Sequence, residues 1–378
     1  MAWCSNSLIR RPPLSARLFA SSLISSLYPV PVCKEKMTKS VINVGLIGYG
    51  LAGAVFHAPL IQAEKRLKLK AISTSRLLGP DLAGVGRVES GWEIISDPEV
   101  DLVVVASPNE THASFARAAL LAGKHVVVDK PFTIRLSEAE ALVELAEACG
   151  RRLTVFQNRR WDSNFITVKK CQDAGTLGEV SYCELHYDRF VPVIKDRWRE
   201  RPGNGAGLLY DLGPHLIDQS LCLFGMPTSV FALSAHQRKD ASVDDFFHLV
   251  LSYGRLVVVL HASLLTYALG PRMLLHGDRG SLFQFGLDGQ EDALKAGQRP
   301  GDVGWGVTPD MHAHTVTSIG RTDLEIEPGA YETFYNRVAG AILDEGPLPV
   351  APAEARNVMA VIEAARRSAT EPRVCLVL

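Results

Sequence analysis

The chain lacks several features that would each have fixed its class. Its seven cysteines (Cys4, Cys33, Cys149, Cys171, Cys183, Cys222 and Cys375) are odd in number, scattered, and never form a C-x-x-C pair. Neither a disulfide framework nor a thiolate zinc site is expected, and a reducing compartment fits best. The longest apolar runs, such as LVVVLHASLL from Leu256 to Leu265, have about half of the roughly 20 residues that span a bilayer. The formal net charge of −1 removes the electrostatic case for nucleic acid or an anionic membrane as a partner. Internal repeats and low-complexity tracts are absent.

Acidic residues are also missing from the first 34 positions, where Arg10, Arg11 and Arg17 stand among many serines. Residues 1–36 therefore read either as an organelle transit peptide or as a leader outside the working protein, with the true start at Met37. The second reading is preferred. A strand pattern begins directly after Met37, and Lys34-Glu35-Lys36 is what a purine-rich ribosome-binding stretch becomes when translated. A cytoplasmic location follows from it, and an organellar one from the transit-peptide reading.

What remains is an ordinary globular mixture, 47% hydrophobic and 21% charged over 378 residues, enough for about two domains. From Val41, VINVGLIG reads as a buried strand, GAVFHAPLIQA as a helix, LKLKAISTS and DLVVVASP as strands, ETHASFARAALLAG as a helix and HVVVDKP as a strand. Ser137 to Glu140 reads as a capping box opening the next helix. The β-α-β order predicts an α/β unit with a doubly wound parallel sheet over residues 37–158.

After Arg160 the strand-like runs VSYCELHYDRF, SVFALSAHQ, DDFFHLVLSY, RLVVVLHASLL and PRMLLHG follow one another with little helix between them. Residues 159–378 are predicted to form an α+β domain with a large, mostly antiparallel open sheet. Its uncovered face suggests a homodimer or homotetramer. Gly286–Asp310 reads as a long surface loop. Two helices close the chain, and the last, 353–368, is expected to pack back on the first domain.

Gly48-Tyr49-Gly50-Leu51-Ala52-Gly53 matches G-x-G-x-x-G between a strand and a helix, the context in which it binds a dinucleotide. The second strand ends in Ser73, Thr74, Ser75 and Arg76, with no carboxylate before Asp81. An acid there would hold a ribose 2′-hydroxyl, whereas Ser75 and Arg76 suit a 2′-phosphate. NADP is therefore expected over NAD, unless Arg76 is only a solvated loop charge. Lys130 ends a parallel strand, at the edge where ligands bind in such sheets. The stretch YDLGPHLID, Tyr210 to Asp218, sets Asp211 and His215 four residues apart, on one face if a helix begins near Tyr210. Pro214 is acceptable there only in a first turn or at a kink. Alone, this stretch admits a catalytic pair, a metal site or a buried histidine. A metal would need a third ligand such as His186 or His248, and no metal is expected.

Together, GYGLAG, SPNETH at Ser107–His112, DKP at Asp129–Pro131 and GLLYDLGPHLID at Gly207–Asp218 resemble the glucose-fructose oxidoreductase / inositol dehydrogenase / rhizopine-catabolism (Gfo/Idh/MocA) family from Met37 onward. Asp129 stands where the family usually has glutamate. The resemblance implies a Rossmann domain and a nicotinamide-dependent dehydrogenase acting on CH–OH groups. It implies catalysis by Lys130, Asp211 and His215, with Gly48, Gly50, Leu51, Ala52, Gly53, Ser107, Pro108, Asn109, His112 and Lys130 at the cofactor, Asn109 and His112 on the nicotinamide side. The NRRWDSNF and DRWRE stretches look most like NADP-dependent scyllo-inositol dehydrogenases. Arg160, Trp161, Arg197 and Trp198 are candidate contacts to a polyol or sugar. The rival from another class is a dinucleotide-binding sensor without turnover, which would have no use for Lys130, Asp211 and His215 together.

Overall fold

The computed structural model describes residues 39–371 and 373–377, so the two readings of residues 1–36 lie outside the described residues. Six strands form a parallel sheet: β1 (Ile42–Ile47), β2 (Leu67–Ser73), β3 (Gly86–Val88), β4 (Leu102–Val105), β5 (His125–Val128) and β6 (Leu153–Val155), in the order β3-β2-β1-β4-β5-β6. β4 and β5 are buried along their whole length, as expected of strands covered by helices on both faces. The strand order reverses between β1 and β4, which opens a crevice beyond their carboxyl ends. The sequence reading missed β3 and β6, which at three residues each are too short to show periodicity.

Nine further strands form a second sheet: β7 (Val180–His186), β8 (Ser229–Ala235), β9 (Phe246–Tyr253), β10 (Leu256–Ser263), β11 (Met273–Gly277), β12 (Gly280–Phe285), β13 (His312–Thr317), β14 (Gly320–Leu324) and β15 (Cys375–Leu376). Their order is β14-β13-β12-β11-β7-β10-β9-β8-β15. β7 and β10 run parallel, and the other pairs are antiparallel. Burial alternates along β9, with Phe247, Leu249 and Leu251 inside and Phe246, His248 and Val250 half-exposed. One face is thus core and the other is half-open. The last helix, Pro352–Thr370, packs on β8 and also on the helix Leu136–Cys149 and on β6 of the first sheet.

Four local expectations are corrected. The helix after Gly50 begins as a π-turn over Ala52–His57 and becomes α over Ala58–Ala63. Pro59, which has no amide for the carbonyl four residues back, sits at that change of winding. The helix Leu136–Cys149 starts one residue before Ser137, and its first turn is closed by Glu138, whose carboxylate accepts from the Arg135 amide at 3.1 Å. Asp211 and His215 do not share one helix: Leu208–Asp211 ends at Leu212, and Gly213–Phe224 begins with Pro214 in its first turn. Gly286–Asp310 is not simply a surface loop, since it holds the helix Gln290–Lys295 with Gln290 and Leu294 buried.

The glycines of the first crossover have separate structural roles. Gly48 adopts a left-handed φ of 97°, and a Cβ there would lie 2.6 Å from the Ala106 carbonyl oxygen. A Cβ on Gly53 would lie 2.2 Å from the Gly48 carbonyl oxygen, whereas one on Gly50 would meet no protein atom within 4 Å. Gly53→Ala should therefore lower stability by about 2 kcal/mol through overpacking of backbone on backbone. Gly50→Ala should change it by less than about 1 kcal/mol. Denaturant or thermal unfolding of the two variants checks this, and equal losses would contradict it.

Candidate active site

A cavity of about 290 Å³ lies where the carboxyl edge of the parallel sheet meets the second half of the chain. Leu51, Ala52 and Phe56 of the glycine crossover form one wall. Asp129 and Lys130 come from the segment after β5, and Asp211, Leu212 and His215 from the broken helix pair. The break at Leu212 places Asp211 at the end of one helix and His215 in the first turn of the next.

Lys130 is the hinge of this arrangement. Its Nζ donates to the Asp211 carbonyl oxygen at 2.6 Å and to Asp211 Oδ1 at 3.0 Å. Arg199 Nε lies 3.5 Å from the same carboxylate oxygen. Burial on its own would raise the Asp211 pKa, but the Lys130 ammonium and then the Arg199 guanidinium hold it well below the usual carboxylate range. His215 shifts in the same direction for a different reason. Burial disfavours its imidazolium, and Lys130, Arg159, Arg272 and Arg189 disfavour it further, leaving a pKa well below the ordinary histidine value. The ring is 5% exposed and its Nδ1 has no hydrogen-bond partner. The site therefore holds an ionised Asp211 beside a neutral His215. Asp211 is bonded to Lys130 rather than to the imidazole.

The cofactor candidates divide into groups. Leu51 and Ala52 line the cavity. The open space beside Gly50, at the strand-order reversal, fits a pyrophosphate approaching the backbone at a helix start. Ser75 and Arg76 lie exposed just past β2, where the Thr74 hydroxyl accepts from the Arg76 amide at 3.1 Å. Ser107 and Pro108 follow β4 and lead into the turn Asn109–Thr111. His112 departs from its expected role. It is fully buried, with Nδ1 2.8 Å from the Pro131 carbonyl oxygen and Nε2 2.9 Å from that of Ser107. It ties the two loops together. Asn109 is also buried, its amide donating to the Gly205 carbonyl at 3.0 Å.

Of the substrate candidates, Arg197 lines the cavity, with Nε on Glu200 at 2.7 Å. Arg160, Trp161 and Trp198 do not. Arg160 is held by a two-pronged pair to Asp218 at 2.7 and 2.8 Å, Trp161 packs edge-on to Phe334 in the core, and Trp198 lies on the surface under Arg199. Neither His186 nor His248 borders the cavity with Asp211 and His215.

Sequence reasoning missed Asn158, Arg159, Arg189, Arg199, Glu291 and Lys295, all of which line the cavity. Arg189 was the most accessible to it, because Cys183, Leu185 and Tyr187 are the buried positions of β7 and its extension, and Arg189 continues their alternation. Its guanidinium lies 4.7 Å from the Tyr187 ring centre. Arg159 Nη2 bonds Glu291 at 2.9 Å, joining the turn after β6 to the helix Gln290–Lys295.

Comparison with known proteins agrees with this architecture. Residues 42–157 match the model of the "Oxidoreductase family, NAD-binding Rossmann fold", and residues 169–376 that of the "Oxidoreductase family, C-terminal alpha/beta domain", both of the Gfo/Idh/MocA group. The uncharacterized oxidoreductase YdgJ of Escherichia coli is 45% identical over 87% of this chain and 96% of its own length. The scyllo-inositol 2-dehydrogenase (NADP(+)) IolW of Bacillus subtilis is 40% identical over 92% and 99%. Among solved structures, the putative oxidoreductase yvaA from Bacillus subtilis superposes with a TM-score of 0.87 at 39% identity, covering 90% of this chain and 99% of that one. With both halves of the chain matched and the relatives aligned over nearly their full length, the protein belongs to the Gfo/Idh/MocA family of oxidoreductases.

Proposed function

We propose that the chain moves a hydride between NADP(H) and a secondary alcohol or ketone of a cyclitol or sugar, with a scyllo-inositol-like polyol as the model substrate. The reading rests on one observation: Lys130, ionised Asp211 and neutral His215 line a single cavity together with Leu51, Ala52 and Phe56 of the glycine crossover. A bound nicotinamide supplies the acceptor for the hydrogen leaving the carbinol carbon.

The protein's own groups then divide the remaining work. An ammonium has three N–H donors, and Asp211 occupies two of those of Lys130. The third is left to hold the substrate oxygen and stabilise negative charge as its proton leaves. His215 takes that proton. Its Nδ1 is enclosed by protein, so Nε2 is the nitrogen available to the cavity. Asp211 is a positioning residue that aims Lys130. Phe56, Phe156 and Leu212 exclude water, and Asn158, Arg159, Arg189, Arg199 and Glu291 supply donors and an acceptor for further hydroxyls. The name of the Bacillus subtilis relative, scyllo-inositol 2-dehydrogenase (NADP(+)), supports both the cyclitol and the cofactor.

Lys130→Ala and His215→Ala should each lower kcat by roughly 100-fold or more and leave NADPH affinity within a few fold, measured by steady-state kinetics and fluorescence titration. Turnover that survived both substitutions would overturn the roles. NADPH binding by the parent chain with no turnover across a panel of cyclitols and sugars would instead favour the sensor.

NADPH should exceed NADH in kcat/KM. Arg76→Ala should erode that preference by about tenfold or more through loss of a charge-assisted contact, and parity in the parent chain would refute it. The pH profile provides an independent check. Because the His215 pKa lies well below the ordinary 6.5, the neutral base persists below that pH. The acid limb of kcat/KM for alcohol oxidation should therefore fall well under pH 6.5, and a midpoint at or above 6.5 would contradict the assignment.

A further inference from the structure

On the half-open face of the second sheet, three histidines stand side by side on neighbouring strands. His261 of β10 is in register with His186 of β7 on one side and His248 of β9 on the other. Asp188, two residues beyond His186, turns its carboxylate between two of them, with Oδ2 3.1 Å from His186 Nδ1 and Oδ1 3.4 Å from His261 Nε2. The ligating atoms of His186, Asp188 and His261 all fall within 4.8 Å of one another. From these residues we propose a site for one divalent transition-metal ion, zinc above all, held by His186 Nδ1, His261 Nε2 and the Asp188 carboxylate.

Two observations set the cluster apart from an incidental histidine–carboxylate network. The first is spacing. Asp188 turns a different oxygen to each ring, Oδ2 to His186 and Oδ1 to His261, so its carboxylate faces the gap between the two imidazoles, and the three ligating atoms lie within 4.8 Å of one another. The second is the outer partners. A metal-bound imidazole normally donates its other N–H to a fixed acceptor, and both rings have one. His186 Nε2 is 2.7 Å from Glu184 Oε2, and His261 Nδ1 is 3.2 Å from His248 Nδ1. The outer shell is itself anchored, since Glu184 Oε1 accepts from the Tyr182 hydroxyl at 2.6 Å and Asp188 Oδ1 from the Ser263 amide at 3.0 Å.

Two imidazoles and one carboxylate favour zinc and its first-row neighbours over magnesium or calcium, which prefer an all-oxygen set. In the single chain the three side chains are 12 to 25% exposed. None of the three lines the cavity of the proposed hydride transfer. The bound ion would clamp β7 to β10, the one parallel pair among the described strands of this sheet.

The test uses the full-length, untagged chain, dialysed against chelator and titrated with Zn²⁺ by calorimetry and with Co²⁺ by visible absorption. One ion per chain is expected, with a tetrahedral cobalt spectrum and an upward shift of the thermal midpoint on zinc addition. Asp188→Asn and His261→Gln should each weaken binding by more than about tenfold, and His248→Gln, which touches only the outer nitrogen of His261, by about tenfold. His215→Ala should bind as the parent does, and a loss there would assign the ion to the catalytic cavity and overturn the proposal. It is equally overturned if the parent chain takes up no zinc at tens of micromolar, or if Asp188→Asn and His261→Gln, shown folded by circular dichroism, bind it as tightly as the parent.

Discussion

The ion pair between Lys130 and Asp211 is the contact on which the rest of the site depends. Lys130 belongs to the carboxyl edge of the parallel sheet, and Asp211 to the helix junction of the second half. Both bonds from Nζ land on the same residue, one on its backbone and one on its side chain, so the ammonium is fixed in direction as well as position. The one positive charge also sets two protonation states. It holds Asp211 ionised against burial, and it adds to burial in keeping His215 neutral. With Lys130 charged, Asp211 stays ionised and His215 stays neutral.

The cavity as a whole is richer in cations than in anions. Lys130, Arg159, Arg189, Arg197, Arg199 and Lys295 face Asp129, Asp211 and Glu291. Most of the cations are shared among carboxylates: Arg159 and Lys295 both bond Glu291, and Arg197 bonds Glu200. Partly buried ion pairs of this kind add little to stability, because desolvation offsets the attraction. Their contribution is to hold long side chains in fixed directions. The cation surplus suits a site that receives negative charge beside a nucleotide-binding fold.

The first half of the fold was legible because its signals are local. β1, β2, β4 and β5 are continuous or alternating apolar runs, the glycine crossover follows β1 directly, and Lys130 lies just past the end of β5. The second half yielded its strands by alternation but hid its functional parts. Gln290 is buried by hydrogen bonds to the Trp161 carbonyl and the Tyr331 amide, so the helix Gln290–Lys295 has little of the apolar stripe that would have marked it. Asp211 and His215 were found through their i, i+4 spacing, although the intervening helix break makes that spacing irrelevant to their geometry. Arg159 lines the cavity and Arg160 does not, because the turn Asn158–Trp161 is 3-10, where direction changes by about 120° per residue. Asp218, the acid that captures Arg160, lies 58 residues away.

The glycine crossover and Lys130 are also coupled from behind. The π-winding of Ala52–His57 ends at a fully buried His57, packed against Phe156 with ring centres 4.4 Å apart. His57 Nδ1 lies 2.6 Å from the Tyr335 hydroxyl, and its Nε2 lies 3.6 Å from Asp129 Oδ1, beside Lys130 in the chain. One buried line thus runs from the helix Glu332–Leu343, through the helix after the glycine crossover, to the segment that carries Lys130. A wider helical turn is locally costly, and such turns recur where a side chain must be re-aimed. Here the re-aimed side chain packs the crossover against the Lys130 segment in close-packed protein, where small displacements are transmitted rather than absorbed. The placement of the glycine crossover relative to the Lys130 segment is therefore set by the core. Chemistry that joins groups carried by different elements needs such a separation held to a fraction of an ångström.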